Sequence, residues 1–199
     1  MPDSTRLTAL KQNPLWDFAL DFYTRPGVER ACLCLQDGLQ DDLQDEAKVD
    51  VCELLLHAWL FYHGLEADPV AIAHERRVRE RWQQEITGVL RQLRRELKGA
   101  AQESDGVAEL RVTIKKAELL AERENLQRWQ QWALSAKECS LPDLKEMTQR
   151  PQHSEDWLHL QLFSPNFRFS EKTGNVGELS PRDALAIVGS QLDRFTRAR

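Results

Sequence analysis

Between Pro69 and Leu97 the apolar residues Val78, Trp82, Ile86, Val89, Leu90, Leu93 and Leu97 recur at three- and four-residue intervals, with Arg and Glu on the opposite side. That is the period of an amphipathic α-helix. At about 1.5 Å per residue the segment exceeds 30 Å, and a stripe of that length requires a cover. The cover predicted by the sequence is residues 107–136, which carry Leu110, Ile114, Ala117 and Ala121 on one side and Trp129 and Trp132 further along. Residues 98–106 form a breaker loop between the two. The expectation is a long antiparallel helical hairpin, which makes the chain mainly all-α.

Three shorter helices are predicted ahead of the hairpin. Asn13-Pro14 opens a helix near 14–25 with Leu15, Phe18, Ala19 and Phe22 inward, Asn supplying the cap and Pro the first position. Pro26 opens another near 26–37, with Ala31, Leu35 and Cys32 inward. After a polar loop, residues 48–63 are apolar nearly all round, as in the central element of a bundle. Gly64 suits its C-terminal cap, and Asp68-Pro69 starts the hairpin by the logic of Asn13-Pro14. Trp16, Tyr23, Trp59, Phe61 and Tyr62 read as core aromatics, with Trp16 and Trp59 as its main anchors. Residues 1–139 form the bundle with its hairpin.

Residues 140–199 read as a C-terminal appendage. Pro142, Pro151 and Pro165 interrupt any long helix. Leu158, Leu160 and Leu162, then Phe167 and Phe169, alternate with polar residues, predicting two short strands around 164–166. Ser180-Pro181-Arg182-Asp183 starts a last helix near 181–197. The appendage is expected to fold back onto the ends of the long helices, at Trp129 and Trp132.

At 41% hydrophobic and 30% charged, 199 residues can bury a sizeable core. A net charge of -5 gives no general attraction to nucleic acid or anionic lipid. The most apolar stretch, 49–65, is shorter than the roughly 20 residues a bilayer needs, so no membrane insertion is expected. Cys32, Cys34, Cys52 and Cys139 fit no zinc or disulfide spacing, and Met1-Pro2-Asp3-Ser4 does not start a secretory signal. Reduced thiols and a cytoplasmic location are the expectation.

Three clusters carry possible chemistry. Asp41, Asp42 and Asp45 spell DDxxD, a pattern whose carboxylates suit a hard metal ion holding a diphosphate. It falls in a polar loop without a second acidic cluster, so a solvated loop outranks a metal site. Cys32, Cys34, Cys52, His57 and His63 read as buried thiols and core histidines, because Cys32 and Cys34 diverge by about 200° on a helix. No catalytic set and no cofactor are implied. Arg76, Arg77, Arg79, Arg81, Arg91, Arg94, Arg95 and Lys98 form a basic face interleaved with Glu75, Glu80, Glu85 and Glu96, the pattern of a salt-bridge-laced surface. Candidate interaction residues are Trp129, Trp132, Arg76, Arg77, Arg91 and Arg95.

One sequence series is distinctive: Leu15-Trp16-Asp17-Phe18-Ala19-Leu20, Tyr23, Pro26-Gly27-Val28, Ala31-Cys32-Leu33 and Leu35-Gln36-Asp37, followed by Asp50-Val51, Leu54-Leu55-Leu56 and Trp59-Leu60. Over roughly residues 10 to 135 it resembles an uncharacterised, conserved hypothetical family of gammaproteobacterial helical proteins. The chain departs from that pattern in a longer loop at 38–48 and in Cys52, where the pattern has Asn. The resemblance implies helical structure and brings no established activity. The function expected is that of a non-enzymatic interaction or regulatory protein whose partner is another protein or a second copy in a homodimer. Ranked below it are a metal-dependent enzyme on a phosphorylated or isoprenoid substrate through Asp41, Asp42 and Asp45, and a regulator touching nucleic acid through the Arg-rich helix.

Overall fold

The computed structural model describes residues 4–37, 49–135, 144–163, 167, 169 and 179–198. The element order is α1 Ser4–Gln12, α2 Leu15–Tyr23, α3 Val28–Asp37, α4 Val51–Tyr62, β1 Leu65–Ala67, α5 Pro69–Trp82, a π-helical turn Gln83–Gly88, α6 Val89–Glu96, a 3-10 turn Ala100–Gln102, α7 Asp105–Ser135, β2 Leu144–Glu146, α8 Ser154–Leu162 and α9 Pro181–Arg197. The fold is mainly all-α, with one two-stranded antiparallel sheet pairing Leu65 with Glu146 and Ala67 with Leu144. Among the described residues no helix is long and apolar enough to cross a membrane.

Helix α4 is the axis of the molecule. Every residue from Val51 to Phe61 is buried, as its nearly continuous apolar run demands. Asp50 caps it by accepting from the Cys52 N–H at 2.8 Å, and Gly64 ends the segment at φ +70°. Asp68 caps α5 through the N–H groups of Val70 and Ala71, with Pro69 in the first turn. Ser180 caps α9 in the same way through Asp183.

The start of α2 differs from the expected cap. Pro14 occupies the capping position without a side-chain bond, and Gln130 of α7 accepts from the Leu15 N–H at 2.7 Å instead. Asn13 turns inward: its carbonyl accepts from Trp59 Nε1 at 2.8 Å. Trp59 is fully buried, whereas Trp16 is only half-buried at the edge of the core with Arg123 over its ring.

The predicted strands at Leu158–Leu162 and Phe167–Phe169 are corrected by the structure. Residues 154–162 form helix α8, which buries Ser154, Trp157 and Leu158 and leaves Leu160 exposed. A short alternating run fits either period, and Glu155 and Asp156 favour a helix start. Phe163 and Phe167 stack at 4.5 Å between ring centroids, with Phe169 edge-on to both. The strands that do form lie in three-residue runs too short to carry a pattern.

The appendage does fold onto the body, at a different place from the one expected. Helix α9 packs along α3, and α8 packs on α4 and α9. Trp157, Leu158, Ala184, Leu185, Val188 and Leu192 share one hydrophobic cluster with α2, α3 and α4. Phe195 closes an aromatic group with Phe18, Phe22 and Tyr62, at 5.5, 5.9 and 5.2 Å.

Candidate functional site

The long hairpin is built unlike its sequence pattern. The stripe Val78, Ile86, Val89 and Leu93 is 54%, 39%, 53% and 42% exposed. The residues turned toward the rest of the protein are Glu75, Arg79, Gln83, Thr87, Arg91 and Arg94, all buried or half-buried. The seam of the hairpin is therefore largely polar, with Ile114 and Ala121 of α7 buried in it and Trp82 at its edge, and the stripe residues Val78, Ile86, Val89 and Leu93 face outward.

The π turn explains this geometry. Residues four apart on an α-helix drift by about 40° per step. One wider turn absorbs an extra residue, so Val78, Trp82, Ile86 and Leu90 stay on one flank while Glu75, Arg79, Gln83, Thr87 and Arg91 stay on the inner face. Gly88 ends the π turn because a Cβ there would stand 2.9 Å from the Gln83 carbonyl oxygen.

Ion pairs hold the seam. Arg91 bonds Glu118 at 3.0 Å and Glu122 at 2.8 Å, and Arg94 also reaches Glu118. Arg111 donates to the Arg94 carbonyl, and Trp82 Nε1 to the Ala121 carbonyl at 3.2 Å. Nearer the body the Arg128 guanidinium lies 3.9 Å from the centre of the Trp82 ring. Burial pushes the Glu118 carboxyl up, but Arg94 and Arg91 overcome it and hold the group below the usual range.

The hairpin joins the bundle at a second polar cluster. Asp50 Oδ1 accepts from Gln83 Nε2 at 2.7 Å while capping α4. Burial raises the Asp50 carboxyl; Gln83 offsets this in part, and Glu53 adds to it. Glu122 is also raised, by burial first, with Arg91 opposing. Glu53 meets Arg76 in a two-pronged pair, Arg76 Nε lying 2.8 Å from Oε2, and fully buried His57 lies 3.5 Å from its other oxygen. Burial acts upward on Glu53, yet Arg76 and His57 bring it below the usual range. Cys52 and Cys32 are buried thiols pushed up by desolvation, Cys32 to about 12.

The residues singled out by sequence scatter over this arrangement. Trp129 is fully buried in the core against half-buried Trp132, so a partner cannot reach it in the folded protein. Trp132 lines a cavity of about 480 Å³ with Glu75, Arg79, Arg128, Gln131 and Ser135. Arg76 and Arg91 are held by carboxylates of other helices, while Arg77 and Arg95 are exposed. The basic face is thus largely matched by Glu53, Glu75, Glu85, Glu118 and Glu122. Asp41, Asp42 and Asp45 lie outside the described residues. Pattern reading passed over Gln83, Thr87, Glu118 and Glu122. The signal for Gln83 and Thr87 is the polar recurrence 75-79-83-87-91, which only the π turn brings into line, and that for Glu118 and Glu122 is their own four-residue spacing on α7.

No curated protein and no solved structure matches the chain. A family model does match, over residues 14–129, which run from the start of α2 through α4 and most of α7 and so contain both the polar junction and the exposed flank. The chain belongs to the family described as protein of unknown function (DUF2390).

Proposed function

We propose that this chain is a non-enzymatic helical interaction protein that docks another protein along the outward flank of its hairpin. One observation carries the proposal. Of the twelve large hydrophobic side chains exposed among the described residues, nine lie on the hairpin: Val78, Ile86, Val89 and Leu93 line one flank of its first arm, and Val70, Leu110, Val112, Leu119 and Leu120 lie elsewhere on it. Contiguous exposed apolar surface rimmed by charge marks interaction sites in soluble proteins. The polar seam supports the same conclusion, since it holds the hairpin in place without using that surface.

The cytoplasm is the proposed compartment, because it keeps thiols such as Cys32 and Cys52 reduced. The test is comparative capture from a native lysate by the parent and by a Val89→Glu, Leu93→Glu variant. Proteins retained by the parent and lost by a variant that melts like it are the expected result. Identical capture by the two would contradict the proposal.

A further inference from the structure

We infer that the hairpin flank pairs with the same flank of a second copy of the chain, the two helices running antiparallel about a two-fold axis near Ile86 and Val89. This rests on the docking surface proposed above and names its occupant. Three features lead to it.

The first is spacing. Past the π turn, Ile86, Val89 and Leu93 follow one another at intervals of three and four residues, the rhythm of a coiled-coil seam, and the turn itself carries Val78 onto the same flank. Ile86, Val89 and Leu93 of that series are exposed, so the seam is present without its second helix.

The second is charge. Along the outer edge of the stripe the order from body to tip is Arg77, Arg81, Glu85, Gln92, Glu96. The edge is basic at one end and acidic toward the other. Arg81 and Glu85 bond each other along the helix and remain 81% and 58% exposed, so Arg81 stays open to a second carboxylate. A parallel copy would set like charges side by side. An antiparallel one with that axis lays Glu96 of each copy beside Arg77 and Arg81 of the other, and the two-fold repeats the contact.

The third is size. From Val78 to Leu97 the flank is about 30 Å long. A helix-on-helix contact of that length buries roughly 600 Å² per copy, at the lower end for specific interfaces. A reversible dimer with Kd on the order of micromolar follows.

Sedimentation velocity of the full chain from about 1 to about 100 µM tests the inference across that Kd. The parent should shift from monomer to dimer with concentration, and Val89→Glu, Leu93→Glu should remain a monomer. Arg77→Glu with Arg81→Glu should weaken dimerisation about tenfold, since each lost surface pair occurs twice. Adding Glu96→Arg to that variant should restore it. A parent that stays monomeric throughout, or a dimer indifferent to Val89→Glu, Leu93→Glu, overturns the self-pairing. If the parent is monomeric yet the same variant still loses captured proteins from lysate, the flank serves a different protein and only the self-pairing falls.

Discussion

Asp50 and Gln83 join the central helix to the hairpin through a single carboxylate oxygen: Oδ1 of Asp50 caps α4 at the Cys52 N–H and accepts from Gln83 Nε2 at 2.7 Å. Asp50→Ala removes both bonds and should cost about 2 kcal/mol, a lost cap plus a stranded amide. Asp50→Asn keeps an oxygen for the cap and removes a buried charge. The Asp50 carboxyl is raised by burial, so its contribution to stability is present in acid and is lost as pH rises through its folded value. At neutral pH Asp50→Asn should therefore equal or exceed the parent in urea melts. The advantage should shrink as the pH is lowered toward 4, near the ordinary carboxylate value. An Asn variant as weak as the Ala variant would contradict the role assigned to Asp50.

Gly88→Ala decides whether the π turn is required. In an ordinary helix interior this change stabilises by up to about 1 kcal/mol. Here the new Cβ would meet the Gln83 carbonyl oxygen at 2.9 Å, so the melting temperature should fall, by roughly 3–6 °C for a chain of this size. A rise would mean that the turn relaxes to α-helix at no cost.

Glu118→Gln tests the polar seam. The carboxylate meets Arg91 and Arg94 and is nearly buried. The Gln variant keeps an acceptor but removes the charge that Arg91 and Arg94 face, while Arg91 retains Glu122, so the change should cost about 1–2 kcal/mol at pH 7, a buried-pair value discounted for partial exposure. Glu118 lies below the usual range, so its stabilisation is present above the unfolded carboxylate value and is lost as pH falls through the folded one. The gap between variant and parent should close in acid. A gap independent of pH would assign the effect to packing instead.

Gly189→Ala probes the docking of the appendage. A Cβ on Gly189 would stand 2.7 Å from the backbone of Glu155 where α9 crosses α8. The clash is with backbone, which cannot swing aside, so about 3 kcal/mol or more of destabilisation is expected in a thermal melt. A neutral substitution would show that the two helices do not pack this closely.

The all-α class, the burial of α4 and the caps at Asp68 and Ser180 were legible because each rests on local periodicity or on cap chemistry within a few residues. The short strands were not, since three residues carry no period. Leu158, Leu160 and Leu162 misled because alternation over five residues fits a helix with one exposed leucine equally well. The larger failure was in the hairpin. Val78, Ile86, Val89 and Leu93 announce a buried stripe, and a buried stripe is what such spacing normally encodes. The inner face that Glu75, Arg79, Gln83, Thr87 and Arg91 form depends on a one-residue slip at the π turn and on Glu118 and Glu122 lying some thirty residues away in sequence. Trp129 drew notice as a large aromatic near a helix end, yet Leu126 and Ala133 beside it are buried too, and that spacing marks the core side of α7.

A docking flank must be free of any duty in the fold. Thermal unfolding of the Val89→Glu, Leu93→Glu variant at a protein concentration low enough to keep the parent monomeric measures this directly. Both positions are solvent-facing, and surface changes of this kind stay within about 0.5 kcal/mol each. The variant is predicted to melt within about 4 °C of the parent. A fall of about 10 °C or more, the signature of charges forced into a core, would show that the stripe is covered in the folded monomer and would contradict the docking surface.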